Sequence, residues 1–94
     1  MTRIKVAGEN SGHRVLLYTL STCGWCKRTM QFLNDYSVEY EYLDMDTATS
    51  QERIEAIQFL QEKNVPIGFP VTIVDNETII SGFKPDEIKK VLRL

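Results

Sequence analysis

The chain contains two cysteines, Cys23 and Cys26, with Gly24 and Trp25 between them. A sulfur pair at this spacing can cycle between dithiol and disulfide, or it can supply two ligands to a metal. A structural zinc site needs four ligands. The one histidine, His13, lies ten residues upstream in a loop-rich stretch, so such a site would have to be closed with carboxylates. His13 itself reads as a solvated surface residue. A static disulfide across so short a loop removes little unfolded-chain entropy, which makes a purely stabilising bridge a poor use of the pair. Count and spacing favour thiol–disulfide exchange, with no metal.

Exchange needs one exposed, acidified sulfur and a second within reach. Val15-Leu16-Leu17-Tyr18-Thr19-Leu20 is a continuous apolar run of strand length. From about Gly24 the pattern changes, with Met30, Leu33 and Tyr36 at helical spacing. The cysteines therefore sit where a strand hands over to a helix. Cys23 falls near the N-cap, where unpaired backbone N–H groups and the helix dipole favour a thiolate. Cysteines in such motifs titrate at roughly 3.5–7.5, against about 8.5 for a free thiol. Cys26, one turn further in, is expected to be more buried and able to attack a mixed disulfide at Cys23. Lys27 and Arg28 follow directly. They either raise the local potential and tune the Cys23 thiol, attract an acidic partner, or form a solvated face. Trp25 is either a contact surface for a partner or a half-packed rim aromatic.

Further along, Val38, Tyr40 and Tyr42 alternate with Glu39 and Glu41, as in a half-buried strand near a sheet edge. Thr49-Ser50-Gln51-Glu52 has the pattern of a capping box. It opens a helix that presents Ile54, Ile57 and Leu60 on one face and ends near Lys63-Asn64, before Pro66. Val71–Val74 and Thr78–Ile80 read as a hairpin around Asp75-Asn76-Glu77. Pro85 starts a last helix with Asp86 and Glu87 in its first turn and Lys89, Lys90 and Arg93 toward its end, all complementing the dipole. Pro70 suits the first residue of a strand, and Gly82-Phe83 marks a tight backbone position after the hairpin. The order strand, helix, strand, helix, strand, strand, helix predicts an α/β fold: a four-stranded mixed sheet with three helices and a parallel first pair. Arg3-Ile4-Lys5-Val6 alternates as well, so residues 1–14 are either a frayed extension or carry a short leading strand ahead of a domain over 15–94.

Composition narrows the function classes. Leu, Ile, Val and Phe make up 27 of 94 residues, enough for one core and well above the roughly 20% that signals disorder. A net charge of −2 argues against a nucleic-acid binder. The longest uncharged run, Val15–Cys26, is far short of the about 20 residues that a membrane span needs. The first thirteen residues lack the apolar centre of a secretory signal. The expectation is a cytoplasmic protein, monomeric, with neither a nucleic-acid nor a membrane partner.

Three stretches together resemble the glutaredoxin branch of the thioredoxin superfamily. They are Tyr18-Thr19 ahead of Cys23-Gly24-Trp25-Cys26, then Phe69-Pro70-Val71, then Ser81-Gly82-Phe83-Lys84-Pro85-Asp86. The resemblance implies a thioredoxin-like sheet of order 2-1-3-4 and a cis bond before Pro70. It implies that Cys23 attacks and Cys26 resolves, the redox-active disulfide being the only cofactor. It places disulfide-bearing substrates against Trp25, Phe69, Pro70, Val71, Gly82 and Phe83, with the Phe69 backbone pairing to the substrate.

Glutathione-using members typically carry a lysine where this chain has Leu20, Cys-Pro-Tyr-Cys at the active site, and two glycines after the hairpin. The run Ser81–Asp86 is instead similar to that of NrdH-redoxins, which take electrons from thioredoxin reductase. The electron donor is thus thioredoxin reductase, another reductase, glutathione or another small thiol, with the expected glutathione contacts missing. Some glutaredoxins without proline between the cysteines hold an iron–sulfur cluster shared between two subunits. With Gly24 at that position, a cluster or metal carrier is the alternative role, and the lesser expectation.

Overall fold

A computed structural model describes residues 3–94. The elements run β1 (Ile4–Val6), β2 (Val15–Thr19), α1 (Gly24–Asp35), β3 (Tyr40–Asp44), α2 (Ser50–Glu62), β4 (Val71–Val74), β5 (Thr78–Ser81) and α3 (Pro85–Leu92). They form one five-stranded sheet in the order β1-β3-β2-β4-β5. β2 and β3 are parallel and the other neighbours antiparallel. Without β1, the remaining four strands have the 2-1-3-4 order of a thioredoxin-like fold.

β2 lies at the centre, so its side chains are covered on both faces and it reads as a continuous apolar run. Val15 and Leu17 face a core built with Leu33 of α1 and Ile88 and Leu92 of α3. Tyr18 faces the opposite core, with Leu43, Val71, Ile73 and, from α2, Ala56 and Leu60. The capping box is present: the Glu52 N–H donates to the Thr49 hydroxyl, and the Thr49 N–H to the Glu52 carboxylate, both at 3.1 Å. A cap of this kind contributes about 1 kcal/mol. The face that α2 buries is rotated from the expected one: Leu60 is buried and Ile57 partly so, but Ile54 is not. Ile54 is 49% exposed, and the inward positions are Ala56 and Leu60, one turn apart. A methyl at 56 lets the helix approach the sheet more closely than an isoleucine would.

The segment ahead of β2 joins the sheet. β1 pairs antiparallel with β3, Val6 opposite Tyr40, so β3 is one strand in from the edge. Residues 8–12 are a loop, but a stitched one. The Asn10 N–H donates to the Ser37 carbonyl, the Glu39 N–H to the Asn10 carbonyl, both at 2.9 Å, and Asn10 Nδ2 to the Tyr36 carbonyl at 2.6 Å. At Gly8 the chain crosses the turn between α1 and β3 so closely that a Cβ would lie 2.4 Å from the Ser37 carbonyl oxygen.

His13 is not merely solvated. Its Nδ1 lies 2.7 Å from Asp75 Oδ2, and the Arg14 N–H donates to Asp75 Oδ1 at 2.9 Å. Asp75 opens the β4–β5 turn with positive φ at both Asp75 and Asn76. The hydrogen bond from His13, then that from Arg14, hold the Asp75 carboxyl below the usual carboxylate range. The loop before β2 thereby anchors the hairpin turn. Among the described residues no helix is long and apolar enough to cross a membrane.

The two loop glycines give a paired test. Gly8→Ala should lower unfolding stability by about 1–3 kcal/mol, since its Cβ meets backbone that has to shift. Gly12→Ala, whose Cβ meets nothing within 4 Å, should change it by less than about 0.5 kcal/mol. Urea denaturation of both variants, followed by circular dichroism, measures the difference.

Candidate active site

β2 ends at Thr19, and the chain turns through 20–22 into α1. The turn closes with the Cys23 N–H donating to the Leu20 carbonyl at 3.0 Å. It is tied to the β3 exit by Asp46, which accepts from the Ser21 N–H at 3.0 Å and from the Ser21 hydroxyl. These bonds hold the Asp46 carboxyl below its ordinary range.

Cys23 is the N-cap of α1, with extended φ/ψ of −86° and 116°. Its sulfur stands where an N-cap oxygen ordinarily stands and accepts the Cys26 N–H at 3.1 Å. The first turn of α1 contains no acidic residue. Cys23 is half-buried and Cys26 has no exposed surface. Burial, and then the hydrogen bond to Cys23, push the Cys26 thiol up to about 12. The two sulfurs are thus inequivalent: the outer one caps a helix within reach of solvent, and the inner one is a buried neutral thiol.

The register brings the other predicted residues to the same end of the sheet. Tyr18, next to last in β2, pairs with Val71, and Val71 with Ser81. Pro70 and Gly82 therefore both lie at the end where the cysteine turn begins. The Phe69–Pro70 bond is cis, and Gly82 has φ +85°. The Gly82 N–H donates to the Pro70 carbonyl at 2.7 Å. The Phe69 backbone takes no part in the hydrogen bonds among the described residues. Its ring packs, partly exposed, on the α2-side core. Pro70 and Val71 are buried. Val71 is paired through its backbone on both sides, so its side chain belongs to the core rather than to the surface.

Trp25 is 57% exposed and stacks on Phe83, with ring centroids 5.8 Å apart. Phe83 meets Phe32 edge-on at 6.5 Å, and Phe32 meets Tyr36 at 4.9 Å. Trp25 is accordingly one end of an aromatic row running down α1, packed on one side and open on the other. The two cations after the cysteines part company. Arg28 lies 5.0 Å over the Trp25 ring, while Lys27 stands in solvent with no carboxylate partner among the described residues. Phe32 was not marked out by the sequence, where it reads as an ordinary helical aromatic. Thr19 and Asp44 were also missed. They are the polar last residues of β2 and β3, paired in register and joined by a 2.5 Å hydrogen bond. Among the described residues no three His, Cys, Asp or Glu side chains converge as a metal-ligand set.

Comparison with known proteins agrees with this geometry. The glutaredoxin family model matches residues 15–79. The chain is similar to a glutaredoxin from Methanosarcina mazei, with 34% identity and a TM-score of 0.86, covering 100% of this chain and 90% of that one. It is similar to methanoredoxin from Methanosarcina acetivorans, with 35% identity and a TM-score of 0.78, covering 89% and 88%. It is similar also to NrdH-redoxin from Escherichia coli, a glutaredoxin-like protein with a thioredoxin-like activity profile, with 26% identity and a TM-score of 0.67, covering 83% and 93%. A thioredoxin-like sheet, two cysteines at a helix start and a matching model over most of its length establish that the chain belongs to the glutaredoxin family.

Proposed function

We propose that the protein reduces disulfides by a two-cysteine exchange in which Cys23 attacks and Cys26 resolves. The carrying observation is the inequivalence of the two sulfurs. Cys23 accepts the Cys26 N–H at the rim of a helix N-terminus that carries no acidic side chain, while Cys26 is buried one turn further in. The Cys23 sulfur attacks one substrate sulfur, and the other leaves with the electron pair. Cys26 then attacks the Cys23 sulfur, releasing the second substrate sulfur and leaving a Cys23–Cys26 disulfide. A donor returns two electrons and two protons to close the cycle.

Substrate contacts fall on the surface around Cys23. The unused Phe69 N–H and carbonyl fit backbone pairing with an extended segment next to the substrate cysteine. Trp25 and Phe83 offer an apolar landing beside it. Gly82 supports this surface by accepting positive φ and bonding Pro70. Pro70 and Val71 act from beneath it, through the backbone. Lys27 has its charge free to lower the cost of a thiolate at Cys23 or to meet an acidic substrate.

The donor we favour is a reductase of the thioredoxin-reductase type. The side chain at position 20, where glutathione-using relatives place a lysine, is a leucine packed on the α2-side core. The Ser81 hydroxyl donates to the Gly68 carbonyl at 3.4 Å, and Phe83 is stacked under Trp25. The region after the hairpin thus closes on its neighbours instead of presenting donors to a doubly carboxylated tripeptide. The likeness to a redoxin with a thioredoxin-like activity profile points the same way.

Cys23→Ser should abolish turnover, and Cys26→Ser should accumulate a mixed disulfide with a protein substrate, visible on non-reducing gels. Full turnover of a protein disulfide by Cys26→Ser would overturn the two-cysteine mechanism. With one disulfide substrate and NADPH, thioredoxin reductase should drive turnover, while glutathione with glutathione reductase should not. Glutathione-driven turnover would make this an ordinary glutathione-dependent member.

The buried thiol also predicts a pH dependence. From about 9 up to about 12 the unfolded chain releases the Cys26 proton and the folded chain keeps it. The unfolded state then binds fewer protons, so stability falls as pH rises through this window. Reduced wild type should lose its urea midpoint more steeply between pH 9 and 11 than Cys26→Ala does. The raised tyrosines, Tyr18 and Tyr40, titrate in both proteins and cancel. Equal slopes would mean that Cys26 ionises without resistance in the fold.

A further inference from the structure

Resting on the two-cysteine reading, a difficulty remains inside the site. Cys26 must lose its proton to attack, yet it is wholly buried. In the reduced site its backbone N–H donates to the Cys23 sulfur at 3.1 Å, which keeps the two cysteines together. Once Cys23 is bonded to the substrate, that sulfur is no longer a thiolate and accepts a proton poorly. Something else has to take the proton.

The sheet places one group for this. Alternation along β2 puts Thr19 on the same face as Val15 and Leu17, the face that α1 and α3 cover. Alternation along β3 puts Asp44 on that face with Tyr40 and Tyr42. Thr19 and Asp44 are register partners at the last rung of the β2–β3 ladder. The fully buried Thr19 hydroxyl lies 2.5 Å from Asp44 Oδ1 and 3.3 Å from the Leu43 carbonyl, which fixes the carboxylate. α1 begins directly beyond this rung, and Cys26 is the first of its inward residues, followed by Thr29 and Leu33. Asp44 is the carboxylate that Thr19 holds on this face, at the rung from which the chain passes into α1. Lys27 is exposed, and Asp46 is occupied by Ser21. Asp44 itself is partly exposed, so a proton that it receives can pass on to water.

We propose that Asp44, oriented by Thr19, accepts the Cys26 proton in the resolving step. As the Cys26 sulfur bonds to the Cys23 sulfur, the bond from Cys23 to the substrate breaks and the substrate sulfur leaves with the electron pair. The Cys26 proton goes to the Asp44 carboxylate, with the Thr19 hydroxyl or a single water as relay, and then to solvent. The charge alone has the opposite effect. An ionised Asp44 that only repelled a Cys26 thiolate would slow resolution, and removing it would speed the step. The two roles therefore predict changes of opposite sign.

The test is stopped flow with 5,5′-dithiobis(2-nitrobenzoate) at one reagent per reduced protein. Cys23 attack releases the first aryl thiolate in a concentration-dependent phase, and Cys26 attack releases the second in a concentration-independent one. Asp44→Asn should leave the first phase within about twofold and slow the second at least about tenfold at pH 7, on the scale of a lost general base. The deficit should shrink steadily toward pH 10, as hydroxide takes over. A second phase at pH 7 as fast as wild type or faster, with a normal first phase, overturns the role of Asp44 and leaves the two-cysteine mechanism standing. A wild type that releases one equivalent only overturns that mechanism and this proposal together. Thr19→Val, which keeps the side-chain volume and frees the carboxylate, should also slow the second phase and spare the first. Where Asp44→Asn loses both phases through misfolding, Thr19→Val decides: an unslowed second phase overturns the proposal.

Discussion

The hydrogen bond from the Cys26 backbone N–H to the Cys23 sulfur organises the site. It is an N-cap bond with sulfur in place of oxygen, and it exists because the central strand ends four residues before Cys23. Three turn residues are enough to swing the chain out of the sheet and start α1 above its end. The cap holds one sulfur at the rim of the helix, and helical geometry then puts residue 26 on the inward side. A single turn thus separates a sulfur that solvent reaches from one that it does not. Their different chemistry follows from that difference in burial.

The sheet order serves the same site. Because β4 and β5 run antiparallel beside β2, the start of one and the end of the other arrive where β2 ends. That brings Pro70 and Gly82 to the cysteine turn from 47 and 59 residues beyond Cys23. The parallel β2–β3 pair brings Asp44 and Asp46 to the same end through a crossover by α1. One carboxylate ties down the turn through Ser21, and the other lies on the face beneath α1. The opposite end of the sheet carries the structural fastening instead, where His13 and Arg14 grip Asp75 and Asn10 grips the turn between α1 and β3. Chemistry and fastening are separated by the length of the strands.

The aromatic row from Trp25 through Phe83 and Phe32 to Tyr36 links α1 to the segment that leads into α3. Each ring contact in such a row adds about 0.5–1.5 kcal/mol beyond the area that it buries. The row keeps Phe83 beside Trp25 and so shapes the rim around Cys23. Arg28 stands over Trp25 and Lys89 over Tyr36, so the row carries a cation at each end.

Much of this was legible in order along the chain. The strand-to-helix handover at Cys23, the capping box at Thr49, the hairpin around Asp75 and the proline start of α3 all depend on residues within one turn of each other. Local sequence therefore determines them. Local sequence also marks the candidate reactive groups, since the chain's two cysteines stand two residues apart at a helix start. The alternation at Arg3–Val6 left strand and frayed tail equally open, because a strand exists only when a partner edge is free to receive it, and β3 offers that edge. Ile54 looked inward by periodicity, but Ala56 won the inward place because the helix–sheet distance selects the smaller side chain. His13 looked solvated because Asp75 lies 62 residues away. Thr19 and Asp44 looked like strand ends, since nothing local says that two polar termini will pair beneath a buried thiol. The sequence by itself determined most of the elements and the place of the two sulfurs at a helix start, which short-range geometry controls. Only the tertiary structure decided which distant groups surround those sulfurs, because strand register and helix packing depend on the whole chain at once.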